Sequence, residues 1–241
     1  MSDAEKQGIR VATWNIHGCV GSDGRHDIER IGGVIRKIAP DVAAFQEVDT
    51  RRKSAQQADT YGYLRSQVGH HGHQAWSISG ADGDYGQVLA SRFKLDNREV
   101  YDISIPGREK RKVMEARVQL PTGYMRVIST HLGVRRTERR RQAALLREIV
   151  DSDLSTPVML LGDLNEWSRR GAAWSLFSGI FEDFTVHASF PARFPVLALD
   201  RILIRPGGTL ISSWIDRQGY PSSDHLPVVA DLVFRNDGEN R

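Results

Sequence analysis

Val158-Met-Leu-Leu-Gly-Asp-Leu-Asn165 sets four apolar residues before a glycine turn and ends in a carboxylate and an amide. An apolar run this short, closed by a turn signal, predicts a buried strand with polar groups at its end. The same design recurs on either side. Ile9-Arg-Val-Ala-Thr-Trp14 alternates, is rich in strand formers and runs into Asn15-Ile-His-Gly18. Asp41-Val-Ala-Ala-Phe-Gln-Glu47 is an apolar run ending in a carboxylate, and Met125 to His131 ends in a histidine. Asp200 opens the strand Arg201 to Ile204, and Asp224-His225 stands just before the strand Val228 to Phe234. One Asp beside a strand is usually a cap or turn residue, and one His there is usually on the surface. Their repetition, with hard oxygen donors dominating, implies strand ends that share one rim and converge on a cleft.

Between these strands the periodicity changes. Asp27 is expected to cap a helix whose Ile28, Ile31, Ile35 and Ile38 have helical spacing, stopped by Pro40. Residues Asp49 to Asp59 read as an exposed polar loop. Gln74 to Ile78, Gly86 to Ser91, Arg98 to Ile105 and Lys112 to Leu120 read as strands, with Pro121-Thr-Gly123 as a turn. Thr137 is expected to cap a helix running to about Asp151, with Leu145, Leu146, Ile149 and Val150 facing inward. A helix near Ala172 to Phe177 and a strand Leu210 to Ile215 complete the pattern. Two strand-rich halves, each joined by helices, predict two packed sheets with helices outside. Without repeats, low-complexity tracts or linkers, residues 1–241 are expected to form one domain, with about 1–8 and 236–241 as flexible tails.

Composition narrows the class. The chain has 241 residues, of which 40% are hydrophobic and 26% charged, proportions that suit a large core. Lys and Arg number 33 against 30 Asp and Glu, so the excess of +3 neither demands nor excludes a polyanionic partner. The basic runs Arg108-Glu-Lys-Arg-Lys112 and Arg135-Arg-Thr-Glu-Arg-Arg-Arg141 read, taken alone, as solvated surfaces. Cys19 is the sole cysteine, which excludes an internal disulfide. Met1 to Gly8 lacks the apolar core of a signal peptide, and no apolar run approaches the ~20 residues that cross a bilayer. A cytoplasmic protein with no transmembrane segment is the expectation.

The motifs Thr13-Trp-Asn-Ile-His-Gly18, Gln46-Glu-Val48, Ser129-Thr-His-Leu132, Gly162-Asp-Leu-Asn165, Leu199-Asp-Arg-Ile202 and Ser223-Asp-His-Leu-Pro227 span nearly the whole chain. In this order they resemble the motif set of the endonuclease/exonuclease/phosphatase superfamily, and Gly162-Asp-Leu-Asn-Glu-Trp167 with Phe190-Pro-Ala-Arg-Phe-Pro195, leading into Leu199-Asp200, resembles an uncharacterised bacterial branch of it. The resemblance implies the DNase I-like fold, a four-layer αββα sandwich in which two mixed β-sheets pack face to face with helices outside. It also implies roles. Glu47 resembles the principal metal-binding carboxylate, with Asn15 and Asp224 lending further oxygens, and an oxygen-rich set without thiolates favours Mg²⁺ or Mn²⁺. Asp163 and Asn165 resemble the pair that orients the attacking water and holds a phosphate oxygen. His225 resembles the catalytic histidine and Asp200 its carboxylate partner, the alternative for Asp200 being an ion pair with Arg201 or another surface arginine. His131 resembles a second histidine that contacts the phosphate or protonates the leaving oxygen. One position departs from the pattern: Gln87 stands where the superfamily usually has asparagine or an acid, so His131 lacks an acidic partner there while Gln87 can still bond a phosphate or His131.

The implied activity is metal-dependent phosphodiester hydrolysis by water. Gln46-Glu-Val-Asp49 lacks the lysine that abasic-DNA repair enzymes carry soon after this motif, and a lone cysteine disfavours disulfide-bonded secreted DNases. Two substrates remain. In the nuclease reading, Arg135, Arg136, Arg139 and Arg140 grip phosphates flanking the scissile one. In the lipid reading, a phospholipid or sphingomyelin-type phosphodiesterase or phosphatase, the same arginines meet anionic head groups while Trp167 or Phe194 touches the interface. Phe190, Arg193 and Phe194 form either a substrate-contacting lip or a proline-bounded loop with its aromatics on the core. A degenerate member that only binds phosphate is disfavoured by the intact metal and histidine positions. Nucleic acid is the favoured substrate, and no obligate protein partner is inferred.

Overall fold

The computed structural model describes residues 8–51, 59–121, 123–168, 170–205 and 207–234. Most of the expected loop after Asp49 and both expected tails lie outside the described residues, except that Gly8 already opens the first strand. The strands are β1 (Gly8–Asn15), β2 (Val42–Asp49), β3 (His71–Gly80), β4 (Gly83–Ser91), β5 (Leu95–Asp102), β6 (Lys112–Leu120), β7 (Gly123–His131), β8 (Val158–Asp163), β9 (Asp183–Phe184), β10 (Asp200–Ile204), β11 (Gly208–Ile215) and β12 (Val228–Phe234). The helices are α1 (Ile28–Ile38), α2 (Thr60–Ser66), α3 (Arg136–Asp151) and α4 (Ala172–Phe177).

Two six-stranded sheets form, ordered β11-β12-β1-β2-β4-β3 and β5-β6-β7-β8-β10-β9. Each is mixed, with one parallel pair (β1 with β2, β7 with β8) among antiparallel neighbours. Val11, Val42 and Leu89 of the first sheet meet Met114, Val127, Met159 and Leu161 of the second in a shared inner core. Trp14 and Phe45 face the other way, onto Ile31 and Ile35 of α1 and Leu64 of α2. Ile128, Leu160 and Leu203 pack on Leu146 and Val150 of α3 and Phe177 of α4. The result is the expected four-layer sandwich. It explains the unbroken apolar run Val158-Met-Leu-Leu161: Met159 and Leu161 point to the other sheet, Val158 and Leu160 to the helices, so both faces of β8 are buried.

The topology brings the polar strand ends together. A parallel pair needs a crossover, and here α1 links β1 to β2 and α3 links β7 to β8. Each crossover returns the chain in the same direction, so Asn15 ends beside Gln46, and His131 pairs with Asp163. Antiparallel β10 starts where β8 ends, with Asp200 opposite Asp163, and Val228 of β12 pairs with Thr13, so Asp224-His225 arrives at the same rim.

Several local expectations change. Asp27 does cap α1, accepting from Arg30 N. Thr137, however, lies inside α3, which starts one residue earlier after Arg135 and has no side-chain cap. Leu145 is 37% exposed, because the apolar face of α3 passes through Ala143, Leu146 and Val150 instead. β5 begins three residues earlier than expected. α2 and the two-residue β9 had no clear sequence signal: α2 is a single short stretch capped by Asp59, which accepts from Gly62 N.

Candidate active site

The strand ends are shaped locally before they meet. Gly162 has φ +144°, and a Cβ there would collide with the Thr130 carbonyl of neighbouring β7. Only glycine lets β8 lie this close and turn into Asp163. Asn165 then takes a left-handed φ of +50°, and its backbone N–H donates to Asp163 Oδ1 at 2.8 Å. Glu47 has φ +56° and sits where the β2–β4 register shifts between Gln46 and Val48. It is therefore the extra residue of a bulge, a device that re-aims a side chain at a sheet edge.

A hydrogen-bonded chain runs across the rim. Asn15 Nδ2 donates to Glu47 Oε1 at 2.8 Å and to Asp163 Oδ2 at 3.1 Å, while Asn15 Oδ1 accepts from His17 N. Asn165 Nδ2 donates to Leu132 O at 2.8 Å and to His131 Nε2 at 3.2 Å. The same His131 Nε2 also stands 3.5 Å from Asp163 Oδ2. On the other flank His225 Nδ1 lies 2.7 Å from Asp200 Oδ2, and His225 Nε2 faces Asp163 Oδ2 at 3.9 Å. Asp200 has no ion pair with Arg201; its Oδ2 instead accepts also from Ser189 Oγ at 2.5 Å. Ser223 Oγ donates to Asn15 O and accepts from His225 N, fixing the last loop on β1.

These contacts set the charges. Burial alone would push the His225 ring down, but the charge and hydrogen bond of Asp200, with Asp163 and Asp224, overcome it and raise the ring to about 10. His225 is an imidazolium at neutral pH. His131 goes the opposite way: complete burial, then the Arg111 and His225 charges, hold it well below its ordinary value and neutral. Burial and the nearby Asp200 charge keep the Asp163 carboxyl above the ordinary carboxylate range, against the pull of His225.

Residues 12–225 match the Endonuclease/Exonuclease/phosphatase family. The chain belongs to that family. It is 28% identical over 251 residues to the uncharacterized protein YbhP of Escherichia coli (strain K12), spanning 96% of this chain and 99% of YbhP. Bacteroides thetaiotaomicron mannosyl-6-phosphatase Bt3783 has a similar fold, with TM-score 0.74 at 16% identity over 94% of this chain and 100% of that one. D. rerio TDP2 complexed with single strand DNA product is similar with TM-score 0.68 at 17% identity, over 94% and 99% of the two chains. At such identities the likeness speaks for the fold alone.

Two places in this family member invite a metal ion. Asp163, Asp200 and His225 bring ligand atoms within 4.8 Å of one another. That cluster suits a proton better than a metal, since Asp200 already holds His225 Nδ1 and an imidazolium has no lone pair to give. Glu47 fits a hard cation: its half-buried carboxylate has Asn15 as its one partner among the described residues. Asp224, half-exposed and 3.8 Å from His17 Nδ1, offers a second oxygen at the same rim.

The peripheral candidates diverge. Gln87 is 2% exposed and donates to Lys112 O at 2.9 Å, so it ties β4 to β6 across the two sheets and makes no hydrogen bond to His131. Arg135 and Arg136 are exposed at the head of α3, but Arg139 is buried and belongs to the framework. Arg193 lies over the exposed Phe194 ring at 5.4 Å, while Phe190 packs on His225 with ring centroids 4.8 Å apart. Phe190 thus packs against the site, while Phe194 stands exposed. The run 108–112 is not wholly solvated either: Arg111 is buried, pairs with Glu109 at 2.6 Å and projects charge onto His131. Ser189, Ser223, Arg111 and Tyr85, whose hydroxyl is pushed up by burial and then by Glu47 and Glu109, had no role in the sequence reading. Only Ser223, inside its motif, carried a local signal.

Proposed function

We propose that this chain, as one catalytic domain, hydrolyses phosphodiesters with a hard divalent cation, Mg²⁺ or Mn²⁺, and that nucleic acid is its substrate. The observation that carries the reading is the continuous rim of Glu47, Asn15, Asp163, Asn165 and His131, flanked by the His225–Asp200 pair. Glu47 and Asp224 would hold the ion, and its charge would neutralise the phosphate as negative charge grows. Asn15 orients Glu47 through Nδ2, leaving one lone pair of Oδ1 for the ion. Asp163, fixed by the Asn165 backbone, accepts the proton of the attacking water with a carboxyl whose raised affinity suits a base, while the bond from phosphorus to the leaving oxygen breaks and that oxygen takes a proton from solvent water. The His225 imidazolium, anchored by Asp200, donates to a non-bridging phosphate oxygen and opposes the charge developing there. Asn165 presents its amide beside neutral His131, which keeps it in place.

The test is a panel of plasmid DNA, single-stranded DNA, RNA and phospholipid vesicles, each with Mg²⁺, Mn²⁺ or chelator. Glu47→Gln keeps the shape of a partly exposed side chain. It is expected to lose at least the roughly 10- to 100-fold seen when a mere outer partner of a metal is removed, and to weaken Mg²⁺ or Mn²⁺ binding by calorimetry. Full turnover in chelator, or a Glu47→Gln enzyme with unchanged metal binding and rate, would sink the proposal.

A further inference from the structure

Beside the rim lies a cleft that the hydrolytic reading leaves unused. One wall continues from His131 and Leu132 into Val134 and α3; the other continues from Asn165 into Glu166 and Trp167. The Asn165 amide bonded to Leu132 O ties the two walls together. Val134, Arg136, Arg139, Glu166, Trp167 and Arg170 line a space of about 350 Å³, within the range of small-ligand sites. Trp167 is two residues from Asn165, so the backbone separates them by at most ~7 Å. A single nucleotide bridges that span.

The cleft is built, and its charge is uneven. Arg139 is 2% exposed; its guanidinium donates to Gly133 O and Val134 O, pairs with Glu166 at 3.5 Å and lies 5.3 Å from the Trp167 ring centroid. Glu166 is also buried, and a Cβ on Gly171 would collide with its carboxyl group, so the glycine makes room for this floor. Trp167 is thus backed on one side by a fixed cation, yet 52% of it is exposed. Arg136 and Arg170 stand exposed at the rim with no ion partner among the described residues. A flat ring surface with open guanidiniums suits a flat π-system attached to an anion, which is the chemistry of a nucleotide. A choline head group would favour the ring, but among the described lining residues Arg136, Arg139 and Arg170 face it with only Glu166 in opposition. A sugar phosphate offers no π-face.

We propose that the Trp167 cleft is a base-stacking subsite that holds the nucleotide flanking the scissile phosphodiester, which makes unpaired nucleic acid the substrate class; this rests on the hydrolytic reading above. The base must be free of a duplex stack to reach the ring. The test compares a single-stranded oligodeoxynucleotide with one of equal length built of stable abasic residues. Cleavage is measured with Mg²⁺, and binding is measured by anisotropy in chelator. The wild-type chain should prefer the base-bearing strand. Trp167→Ala should shrink that preference about 5- to 150-fold, mostly in KM and in binding, whereas Trp167→Phe keeps a ring and should keep most of it. Arg170→Gln, at the exposed rim, should weaken both strands alike. An unchanged preference in Trp167→Ala overturns the subsite even while hydrolysis stands. Trp167-dependent strand binding without any metal-dependent cleavage retains the subsite as a binding site and overturns the hydrolytic reading alone. Trp167-dependent binding of phospholipid vesicles, with neither strand bound, overturns the proposal.

Discussion

Replacing Asp200 by Asn tests the charge assignment of the site most directly. The substitution keeps an oxygen that accepts from His225 Nδ1 and from Ser189, but removes the negative charge. Burial is the largest single influence on His225 and acts downward; Asp200 is the main influence acting upward. At about 1.4 kcal/mol per pH unit, a rise from 6.5 to about 10 corresponds to roughly 5 kcal/mol in favour of the charged ring. Without Asp200, burial faces only Asp163 and Asp224, and the ring should lose its proton below neutral pH. Wild-type activity should persist into alkaline solution and fall as His225 deprotonates near pH 10. In Asp200→Asn the rate at pH 8 should drop by about 10²–10⁴, and the alkaline limb should move acidward by at least about two pH units. His225→Ala should cost little more in the Asp200→Asn background, since the two residues act as one unit. The same pair contributes to stability with a defined sign. Between pH 6.5 and about 10 the folded chain binds a proton that the unfolded chain has released. This stabilisation is therefore complete below pH 6.5 and is lost as pH rises through about 10. The assays are kcat/KM from pH 5 to 11 on a substrate found in the panel, and titration of the imidazole resonances by NMR. A wild-type His225 that titrates near 6.5, or an alkaline limb unmoved in Asp200→Asn, would refute the reasoning.

Gly162→Ala forces a Cβ into the Thr130 carbonyl at a φ of +144°, and should cost on the order of 3 kcal/mol in urea melts; a change under about 1 kcal/mol would mean that β8 can shift away. Arg135, Arg136 and Arg140 are exposed along the head of α3, whereas Arg139 is not. Changing those three to glutamine should flatten the salt dependence of nucleic-acid binding by about 0.7–0.9 log units per lost phosphate contact, and an unchanged slope would leave them as a solvated helix face.

Much of this architecture was legible in the chain. Strand β8 announces itself because burial on both faces demands an apolar residue at every position, a requirement visible in four consecutive letters. Helix α1 is equally plain, since its cap at Asp27 and its isoleucine spacing are local features. The polar strand ends could be found for the same reason, and their convergence followed from two crossover connections. Of the short elements, α4 was legible but α2 and β9 were not, because they draw their stability from partners far away in sequence.

Residue types alone determined which groups could do chemistry here, because a carboxylate, an amide or an imidazole carries its donors and charge wherever it stands. Only the tertiary structure decided what each group does. Asp200 and His225 are both buried, yet the ring is cationic because Ser189 and a strand 25 residues away bring a carboxylate to its Nδ1. His131, of the same type and equally buried, is neutral because burial disfavours its charged form and the Arg111 and His225 charges add to that effect. Arg136 and Arg139 sit three residues apart in one basic run, but one is solvated while the other is pinned between Glu166 and Trp167. Such differences arise from segments distant in the chain, and desolvation and nearby charge act through space, so no local pattern encodes them.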